Sequence, residues 1–483
     1  MKQTVFKDLI KNSDILKALD LMEFEFPTEV QEKVIPQILN NKDLIVQSQT
    51  GSGKTAAFAI PLCQKLEIEV KNPRVLILTP TRELAVQVHK DITTIGRFKR
   101  IRCAAVYGKQ PIRIQINDLR QRVHVVVGTP GRVRDLIERG NLVVDDIEYL
   151  VIDEADEMLS LGFFEQVEDI LKTLPQNRMS SLFSATINDQ VKTICNTYLN
   201  DPIQIKIQSE EDVMDKIKQM YYEVEEYDEL RTLNKLIYLE KPESCILFCN
   251  TRARVDEVVE FMKRKDFYCE GIHGGMDQSI RLQTIRRFKR GEFHFLVATD
   301  VMGRGIHVDD MTHVINIDLP EEKANYIHRI GRTGRAGKEG RAISFVSSEE
   351  MDLLAEIEQL TGETIIKMEM TDVDHQEKDA FFEENIKSKP KAKKDVSEKL
   401  NKDITKIRIN AGKKKKIRAG DIVGTLMSIE GMTSEDIGII DVQPTCTYVE
   451  IFGRKGEVVL KALNNKTLKG KPFTFKKVRH RSL

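Results

Sequence analysis

The chain has 483 residues, a length that corresponds to about two to four domains of ordinary size. Its 75 Lys and Arg residues balance its 75 Asp and Glu residues, and 41% of all residues are hydrophobic. This composition excludes a uniformly basic, histone-like protein and an acidic disordered one, and it supplies enough apolar residues for packed cores.

The charge is distributed unevenly along the chain. Residues 401–483 carry 18 Lys and Arg against 8 Asp and Glu, whereas the first 400 residues carry 57 against 67. A basic segment on an acidic body favours contact of that segment with a polyanion, although a solvated basic surface has the same composition.

The sequence indicates a reducing compartment and no membrane segment. The seven cysteines are odd in number, form no CxxC pair and lie mostly in apolar runs, so we expect buried free thiols. The N-terminus lacks the apolar stretch of a signal peptide, and no run approaches the length of a membrane span. We therefore expect a cytoplasmic protein without a membrane partner.

The first two predicted domains are α/β. From about residue 43 to 186, short apolar runs such as RVLILTP and HVVVGTP alternate with helical patterns, and the rhythm returns from SCILFCNT to RAISFVS. Strands that are apolar throughout are typical of a parallel sheet covered on both faces. We predict two tandem parallel-sheet domains, residues 1–207 and 218–368, joined by a linker at 208–217.

The rest of the chain is predicted to be a linker and a small α+β domain. Residues 369–403 are charged and poor in β-branched residues, as in a linker with room for a short helix. Residues 404–483 follow the order βαββαβ, with strands at KIRINA, IGIIDVQ, CTYVEIF and FTFKKV. RNA-recognition domains share this ferredoxin-like arrangement.

A phosphate-binding loop is the strongest chemical signal. SQTGSGKT follows the strand-like DLIV and precedes a helical stretch, so backbone N–H groups can surround phosphates, Lys54 can reach the β- and γ-phosphates of ATP, and Thr55 can bind Mg²⁺. A chance glycine-rich turn is the alternative, but strand, loop and helix stand in the required order. The loop residues are Ser48, Gln49, Thr50, Gly51, Ser52, Gly53, Lys54 and Thr55.

Two carboxylates follow the apolar run YLVI. Asp153 and Glu154 are expected at the carboxyl end of a buried strand, where ligands of open α/β sheets bind. Asp153 is placed to hold Mg²⁺, and Glu154 to orient and deprotonate an attacking water. Such pairs also occur simply as helix caps, and the phosphate loop favours the catalytic interpretation.

Two arginines among glycines lie in the second α/β domain. In HRIGRTGRAG, Arg332 and Arg335 can approach one anion, and their rigid, always charged guanidinium groups suit a transferring γ-phosphoryl group. Taken alone, the segment would be interpreted as a solvated basic turn. Together the three segments predict ATP in a cleft between two domains.

Five motifs in one order carry a family resemblance. They are PTRELA at Pro80–Ala85, TPGR at Thr129–Arg132, DEAD at Asp153–Asp156, SAT at Ser184–Thr186 and HRIGRTGR at His328–Arg335. Residues 1 to about 366 thus resemble the DEAD-box ATP-dependent RNA helicases, which implies two RecA-like domains, RNA-stimulated ATP hydrolysis and local unwinding of RNA duplexes.

The C-terminal domain extends the resemblance to the DbpA type of that family. The segment NAGKKKKIRAGDIVG (Asn410–Gly424) carries it. The subgroup implies targeting of large-subunit (23S) ribosomal RNA near the peptidyl-transferase centre, in assembly of the large ribosomal subunit, with pre-ribosomal particles as partners.

The resemblance also implies roles for matching positions. Gln31 would read the adenine edge and Phe6 would stack on the base, while Arg304 and His328 would sense the nucleotide state. Ser184 and Thr186 would couple hydrolysis to strand separation. The RNA-facing positions would be Thr81, Arg82, Gly108, Thr129, Gly131 and Arg132 in the first domain and Thr251, Gln278, Arg281 and Thr299 in the second.

The chain departs from the family in five places. Glu23 and Lys109 replace glycines, Ser48 replaces an alanine, and Met302-Gly303 replaces a pair of small residues. His307 stands where the family has an aspartate that touches the ATP ribose. We expect weaker closure on ATP from this last change rather than loss of activity.

The basic C-terminal domain is expected to contact RNA mainly through charge. KIRINA has no aromatic residue, and TYVEIF offers Tyr448 at a sheet-facing position, with Phe452 at the strand end. We predict contact through Lys413, Lys414, Lys415, Lys416 and Arg418, with a solvated surface as the alternative. Further cations are Arg454, Lys455, Lys469, Lys471, Lys476, Lys477, Arg479 and Arg481.

Three functions remain open at this point. An RNA helicase that turns over ATP is favoured by the intact Glu154, Arg332 and Arg335. The alternative is an ATP-gated RNA clamp that scarcely unwinds. A DNA motor would use the same phosphate chemistry, and the family resemblance argues against it.

Overall fold

The computed structural model of the chain describes residues 4–49, 51–207, 216–300, 311–334, 339–370, 380–390, 403–463 and 466–478. These residues divide into two compact units, one within Met1–Ile207 and Asp395–Leu483 and the other within Gln208–Lys394. The first unit therefore combines the first α/β domain with the C-terminal domain, although the whole second unit lies between them in the chain.

The first unit contains an α/β domain built on one parallel sheet. Its strands are β1 (Leu44–Gln47), β2 (Val75–Leu78), β3 (Cys103–Val106), β4 (Val125–Gly128), β5 (Tyr149–Ile152), β6 (Met179–Ser184) and β7 (Ile203–Lys206). The order is β3-β4-β2-β5-β6-β1-β7, and all pairs are parallel. The helices are α1 (Phe6–Leu9), α2 (Ser13–Leu21), α3 (Glu29–Leu39), α4 (Lys54–Lys65), α5 (Arg82–Ile95), α6 (Ile112–Leu119), α7 (Pro130–Glu138), α8 (Ala155–Ser160), α9 (Phe164–Thr173) and α10 (Asp189–Tyr198).

The apolar strands arise because both faces of the sheet are covered. In β2, Val75 and Ile77 pack in one hydrophobic core, whereas Leu76 and Leu78 pack in another. A strand between two cores needs apolar side chains at every position, which gives the continuous runs seen in the sequence. The predicted parallel sheet is confirmed.

The second unit repeats the same strand order. Its strands are β8 (Ile217–Glu223), β9 (Cys245–Cys249), β10 (Cys269–Ile272), β11 (Phe295–Thr299), β12 (His313–Asn316), β13 (Gly340–Val346) and β14 (Ile366–Met368), in the parallel order β10-β11-β9-β12-β13-β8-β14. The helices are α11 (Glu229–Glu240), α12 (Arg252–Arg264), α13 (Gln278–Lys289), α14 (Lys323–Ile330), α15 (Met351–Thr361) and α16 (Ala380–Lys387). Helix α16 falls within the predicted linker, and its Ile386 is buried in the core of this unit.

The C-terminal domain has an antiparallel sheet covered by two helices. In chain order its elements are β15 (Thr405–Ile409), α17 (Ala419–Met427), β16 (Ile437–Val442), β17 (Thr447–Ile451), α18 (Gly456–Leu463) and β18 (Phe475–Lys477), and the sheet order is β16-β17-β15-β18. The core holds Ile407 and Val449 from the strands with Leu426 and Val459 from the helices. The predicted order βαββαβ is confirmed.

The cysteines are free thiols, as predicted. Cys103 is half-buried and the other six are buried. Within the described parts of the chain, no helix combines the length and apolar character needed to cross a membrane.

Candidate functional site

The candidate nucleotide site lies where β1, β5 and β6 end. Because these strands are parallel neighbours, the segments that follow them meet at one edge of the sheet. The backbone N–H of Ser48, after β1, donates to the carbonyl of Ser184 at the end of β6 over 3.0 Å. The phosphate loop and the SAT motif are thus in direct contact.

The phosphate loop has the backbone that anion binding requires. Gly51 and Gly53 have φ angles of +85° and +95°, which glycine adopts without strain. The buried Lys54 opens α4, and its Nζ donates to the carbonyl of Ser48 over 3.0 Å. The half-buried Thr55 follows in the first turn, where backbone N–H groups and the helix dipole favour phosphate. The predicted Thr50 lies outside the described residues.

Gln31 contacts the phosphate loop directly. Its Nε2 donates to the carbonyl of Gly53 over 3.2 Å, and its Oε1 accepts from the backbone N–H of Thr28 over 3.0 Å. The Thr28 hydroxyl in turn donates to the carbonyl of Ser52 over 2.9 Å. A Cβ atom at Gly53 would lie 2.6 Å from Nε2 of Gln31, so only glycine allows this approach.

The aromatic ring of Phe6 is buried in the core of the first domain. It packs against Phe24, with ring centroids 6.1 Å apart. Stacking of Phe6 on adenine and reading of its edge by Gln31 remain predictions.

The two carboxylates of the DEAD motif are deeply buried beside the loop. Asp153 and Glu154 follow β5 and are 2% and 4% exposed. Glu154 has a φ of +52°, a left-handed conformation that costs about 1 kcal/mol or more for a residue with a Cβ. Strain of this kind in a buried acidic residue at a sheet edge is typical of a functional position.

The next carboxylate of the motif ties it to the SAT segment. Asp156 accepts at one oxygen from the backbone N–H and the hydroxyl of Thr186, both over 2.8 Å. Its own N–H donates to the hydroxyl of Ser184 over 3.2 Å, and that hydroxyl donates to the Thr186 carbonyl over 2.7 Å. Three hydrogen bonds therefore join the DEAD and SAT motifs.

The donor set fits a magnesium ion that arrives with nucleotide. Mg²⁺ in phosphate sites is held by one or two carboxylates, several waters and the phosphates themselves, rather than by a protein cage. Thr55 and Asp153 supply hard oxygen donors of that kind. The described residues contain no cluster of three or more His, Cys, Asp or Glu that could hold a metal alone.

The predicted RNA-facing residues of the first domain gather at the ends of β2, β3 and β4. These strands are neighbours, so Thr81 and Arg82, Gly108, and Thr129 with Arg132 follow adjacent strand ends. A Cβ at Gly108 would lie 3.4 Å from the guanidinium of Arg82. Burial, together with the nearby Arg132, lowers the pKa of Arg82, while Glu83 and Tyr107 act in the opposite direction.

A buried glutamine that the sequence did not single out holds this surface. Gln115 Oε1 accepts from Arg132 Nη1 over 2.9 Å, and its Nε2 donates to the carbonyl of Tyr107 over 2.8 Å. Arg132 also donates to the carbonyl of Gln110 over 3.1 Å. A Cβ at Gly131 would meet no described atom within 4 Å, so this helix end is open to a ligand.

The second unit repeats this arrangement. Thr251 and Arg252 follow β9, Gly274 follows β10, and Thr299 ends β11, again three neighbouring strands. A Cβ at Gly274 would lie 3.5 Å from the guanidinium of Arg252. The predicted Gln278 and Arg281 both lie on α13, where Arg281 is buried. Arg252 is an RNA-facing candidate that the sequence analysis missed.

The motif segment that begins at His328, at the end of α14, is anchored by one buried arginine. Arg329, only 1% exposed at its side chain, donates to Asp300 Oδ2 over 2.7 Å, to Asn250 Oδ1 over 2.8 Å and to the carbonyl of Asp318 over 2.6 Å. The preceding His328 is exposed, and Nε of the buried Arg332 donates to the His328 carbonyl over 3.3 Å. The predicted Arg304 and Arg335, as well as Met302, Gly303 and His307, lie outside the described residues.

The lysine run of the C-terminal domain forms an exposed turn that backbone hydrogen bonds hold in place. The N–H groups of Lys413 and Lys414 donate to the carbonyls of Gln443 and Pro444, both over 2.9 Å. A Cβ at Gly412 would lie 2.1 Å from the carbonyl oxygen of Gln443, so glycine is required for this approach. The side chains of Lys413, Lys414, Lys415, Lys416 and Arg418 are all exposed.

Two departures from the family fall where the backbone is left-handed. Glu23 and Lys109, which replace family glycines, both have φ angles of +60°. Glycine adopts this conformation at no steric cost, which explains the family preference, whereas other residues are strained there.

Comparison with known proteins agrees with this geometry. The DEAD/DEAH box helicase family matches residues 28–194, the helicase conserved C-terminal domain matches 228–337, and the DbpA RNA binding domain matches 406–477. The ATP-dependent RNA helicase DbpA of Bacillus subtilis (strain 168) is 48% identical over 98% of this chain and 99% of its own length. The DEAD-box ATP-dependent RNA helicase CshA of Geobacillus kaustophilus is 43% identical over 77% of this chain and 79% of its own.

Solved structures give the same relationship. S. cerevisiae Dbp5 bound to RNA and ADP BeF3 is 32% identical, covers 77% of this chain and 98% of its own, and has a TM-score of 0.67. Mss116p bound to ssRNA and AMP-PNP is 30% identical, covers 77% of this chain and 80% of its own, and has a TM-score of 0.68. The chain therefore belongs to the DEAD-box family and is an RNA helicase with ATPase activity that carries a DbpA RNA-binding domain.

Proposed function

We propose that this helicase acts on 23S ribosomal RNA near the peptidyl-transferase centre during assembly of the large ribosomal subunit, in the cytoplasm and on pre-ribosomal particles. The supporting observation is the exposed lysine turn of the DbpA RNA-binding domain, since four consecutive cations on a hydrogen-bonded turn form an anion-binding surface. The specific rRNA target follows from the resemblance to the DbpA type. A helicase core that grips only phosphates gains selectivity when a second domain raises its effective concentration at one site.

Each side chain of the core then has a chemical task. Backbone N–H groups of the phosphate loop bind ATP phosphates with Lys54, and Thr55 and Asp153 would hold Mg²⁺, which neutralises phosphate charge when bound. Glu154 orients the attacking water and takes its proton. Arg332 and Arg335 are assigned to stabilise the charge that develops on the γ-phosphoryl group.

The contact of Asp156 with Thr186 and Ser184 is proposed to couple hydrolysis to RNA. This network joins the catalytic carboxylates to the segment that follows β6, so a movement at the phosphates reaches the rest of the domain. RNA-facing threonines, glycines and arginines grip the phosphate backbone without reading bases, as local unwinding of any duplex requires.

The test compares steady-state ATP hydrolysis without RNA, with a generic duplex and with an rRNA fragment that carries the peptidyl-transferase hairpin. One full-length variant replaces Lys413, Lys414, Lys415 and Lys416 by Ser, and the control replaces the exposed Lys42, Lys71, Lys172 and Lys192. We expect strong preference for the rRNA fragment in the wild type and the control, and its loss in the lysine-turn variant. The salt dependence of RNA binding should also fall, by a slope of about 3 for four phosphate contacts.

Two outcomes would contradict the proposal. If all RNAs stimulate the wild type equally, the C-terminal domain is a general RNA anchor and the rRNA target is wrong. If RNA binds but supports no repeated turnover with duplex release, the chain acts as an ATP-gated clamp.

A further inference from the structure

The outer face of the C-terminal sheet packs against the first α/β domain. In β17, Val449 and Ile451 point into the core beneath the helices, so the alternating residues Tyr448 and Glu450 point to the opposite, outer face. Phe452 continues this alternation just after the strand. Glu450 and Phe452 are nevertheless buried, because residues of the first domain cover them.

Four direct contacts define this packing. Arg97 Nη2 donates to Glu450 Oε1 over 3.0 Å, and the two side chains are only 13% and 12% exposed. The ring of Phe98 meets that of Phe452 edge-on, with centroids 5.3 Å apart at 61°. Gln121 Nε2 donates to the backbone carbonyl of Val442 over 3.0 Å. The guanidinium of Arg100 also donates to the carbonyl of Ser434.

Residues of opposite charge meet at this contact, and the C-terminal domain contributes carboxylates to it although the domain as a whole is basic. Residues 401–483 contain only 8 Asp and Glu, yet Asp441 and Glu450 both face arginines of the first domain. Burial lowers the pKa of Arg102, whereas the charges of Asp441 and Glu450 raise it. Glu450 thus pairs with Arg97, and Asp441 and Glu450 both act on Arg102, whereas Asp441 also lies near the like-charged Asp118, whose pKa is raised by burial and by Asp441.

A glycine makes room for the aromatic contact. A Cβ at Gly438, on β16, would lie 2.6 Å from the ring of Phe452 and 2.9 Å from the Cβ of Glu450. The absent side chain lets the Phe452 ring lie across β16 and reach Phe98. The C-terminal domain is therefore shaped for this aromatic contact.

The contact lies at the amino ends of the strands, whereas the residues predicted to bind nucleotide and RNA lie at their carboxyl ends. Residues 97–102 precede β3 and residues 121–122 precede β4, so both segments are at the amino ends of these strands. The phosphate loop and Arg82, Gly108 and Arg132 follow the carboxyl ends. A four-residue strand spans about 13 Å, so docking leaves the candidate active site uncovered.

We infer that the outer sheet face of the C-terminal domain, around Glu450 and Phe452, is a docking surface for the first α/β domain rather than an RNA-binding face, and that the two domains move as one body. A consequence that rests on the proposed function is a fixed spacing between the lysine turn and the RNA-facing residues of the first domain. RNA bound at the lysine turn is held at one distance from the RNA-facing residues of the first domain, so duplexes at that distance are acted on preferentially.

Docking is tested first without RNA, by trypsin cleavage of the full chain after Arg100. The variants are Glu450→Arg, Arg97→Glu and the double exchange, and the matched charge controls are Glu430→Arg and Lys71→Glu at exposed positions. Each single exchange places like charges together, so we expect cleavage on the order of tenfold faster or more, with wild-type rates in the double variant and both controls. Equal rates in all five variants, or no recovery in the double variant, would overturn the inference.

The second measurement uses RNAs in which a spacer of increasing length joins the hairpin to a duplex. ATP hydrolysis by the wild type and the double variant should peak at one spacer length, and Glu450→Arg should respond to a broad range. If cleavage shows docking but no hairpin RNA stimulates hydrolysis preferentially, the proposed function fails and docking stands. If stimulation is preferential but every variant peaks at the same spacer, the fixed spacing is wrong.

Discussion

Arg329 is expected to hold the segment that contains His328 and Arg332 in place. Its guanidinium lies 5.2 Å from the Phe248 ring centroid and donates to Asp300, Asn250 and the Asp318 carbonyl. The change Arg329→Met keeps the apolar stem but leaves the carboxylate of Asp300 without this cation. Breaking a buried ion pair costs about 3–5 kcal/mol, and since Asp300 is 21% exposed we expect a loss near the lower end, about 3 kcal/mol.

The loss is measurable by hydrogen exchange at the amides of β12, because the chain has no tryptophan to report unfolding. Arg329→Lys keeps the charge but not the planar fork and should lose less. Arg264→Met, at an exposed position of α12, is the control and should change the free energy of opening by no more than about 0.5 kcal/mol. RNA-stimulated ATP hydrolysis should fall with Arg329→Met, since His328 and Arg332 flank the anchor. A loss below about 1 kcal/mol would refute this account of the network.

Three further predictions concern the first domain. Glu23→Gly and Lys109→Gly each relieve about 1–2 kcal/mol of left-handed backbone strain, and each adds about 0.5–1 kcal/mol of conformational entropy cost on folding. The midpoint temperature of thermal unfolding should therefore rise or stay unchanged. A lower midpoint would contradict the strain. Gly131→Ala should preserve or raise the stability of the fold, since a Cβ there meets no described atom within 4 Å. The RNA affinity measured by titration should fall. An unchanged affinity would mean that Gly131 is not part of the RNA-binding surface. Burial lowers the pKa of His124, whose Nδ1 accepts from the Arg102 N–H over 2.8 Å. Because the folded protein binds a proton at His124 less readily than the unfolded chain does, this residue stabilises the fold above pH 6.5. That stabilisation is lost as the pH falls below 6.5, by up to about 1.4 kcal/mol per pH unit. His124→Asn should flatten the pH dependence of hydrogen exchange in β4.

The sequence predicted most strands of the two parallel sheets, including the edge strands β3 and β10, and missed β7, β8 and β14. Central strands such as β2 and β9 are buried on both faces and therefore apolar throughout. Strands β7 and β14 stand at sheet edges and β8 lies next to an edge, so their polar residues mask the pattern. In β7 only Ile205 is buried, and a single apolar position gives no periodic signal.

The candidate site divides in the same way. Residues in contiguous motifs, such as Lys54 and Asp153, were identified because their spacing along the chain reflects the chemistry. Gln115 and Arg329 were missed because their partners come from several segments, as Asn250, Asp300 and Asp318 do for Arg329. The docking contact of Arg97 with Glu450 joins residues 353 positions apart, and no local periodicity encodes it.

The two parallel sheets share one strand order, and matching residues follow their second and third strands. In both units a threonine hydroxyl caps the helix after the second strand, with Thr81 accepting from the N–H of Leu84 and Thr251 from that of Arg254. In both, the next arginine lies beside a glycine that follows the third strand. These threonine, arginine and glycine positions therefore repeat between the units. By contrast, β1 leads into a glycine-rich phosphate loop, whereas its counterpart β8 leads into Val224 and acidic residues. Under the proposed function each unit would offer one such set of residues to RNA phosphates, and the glycine-rich phosphate loop belongs to the first unit.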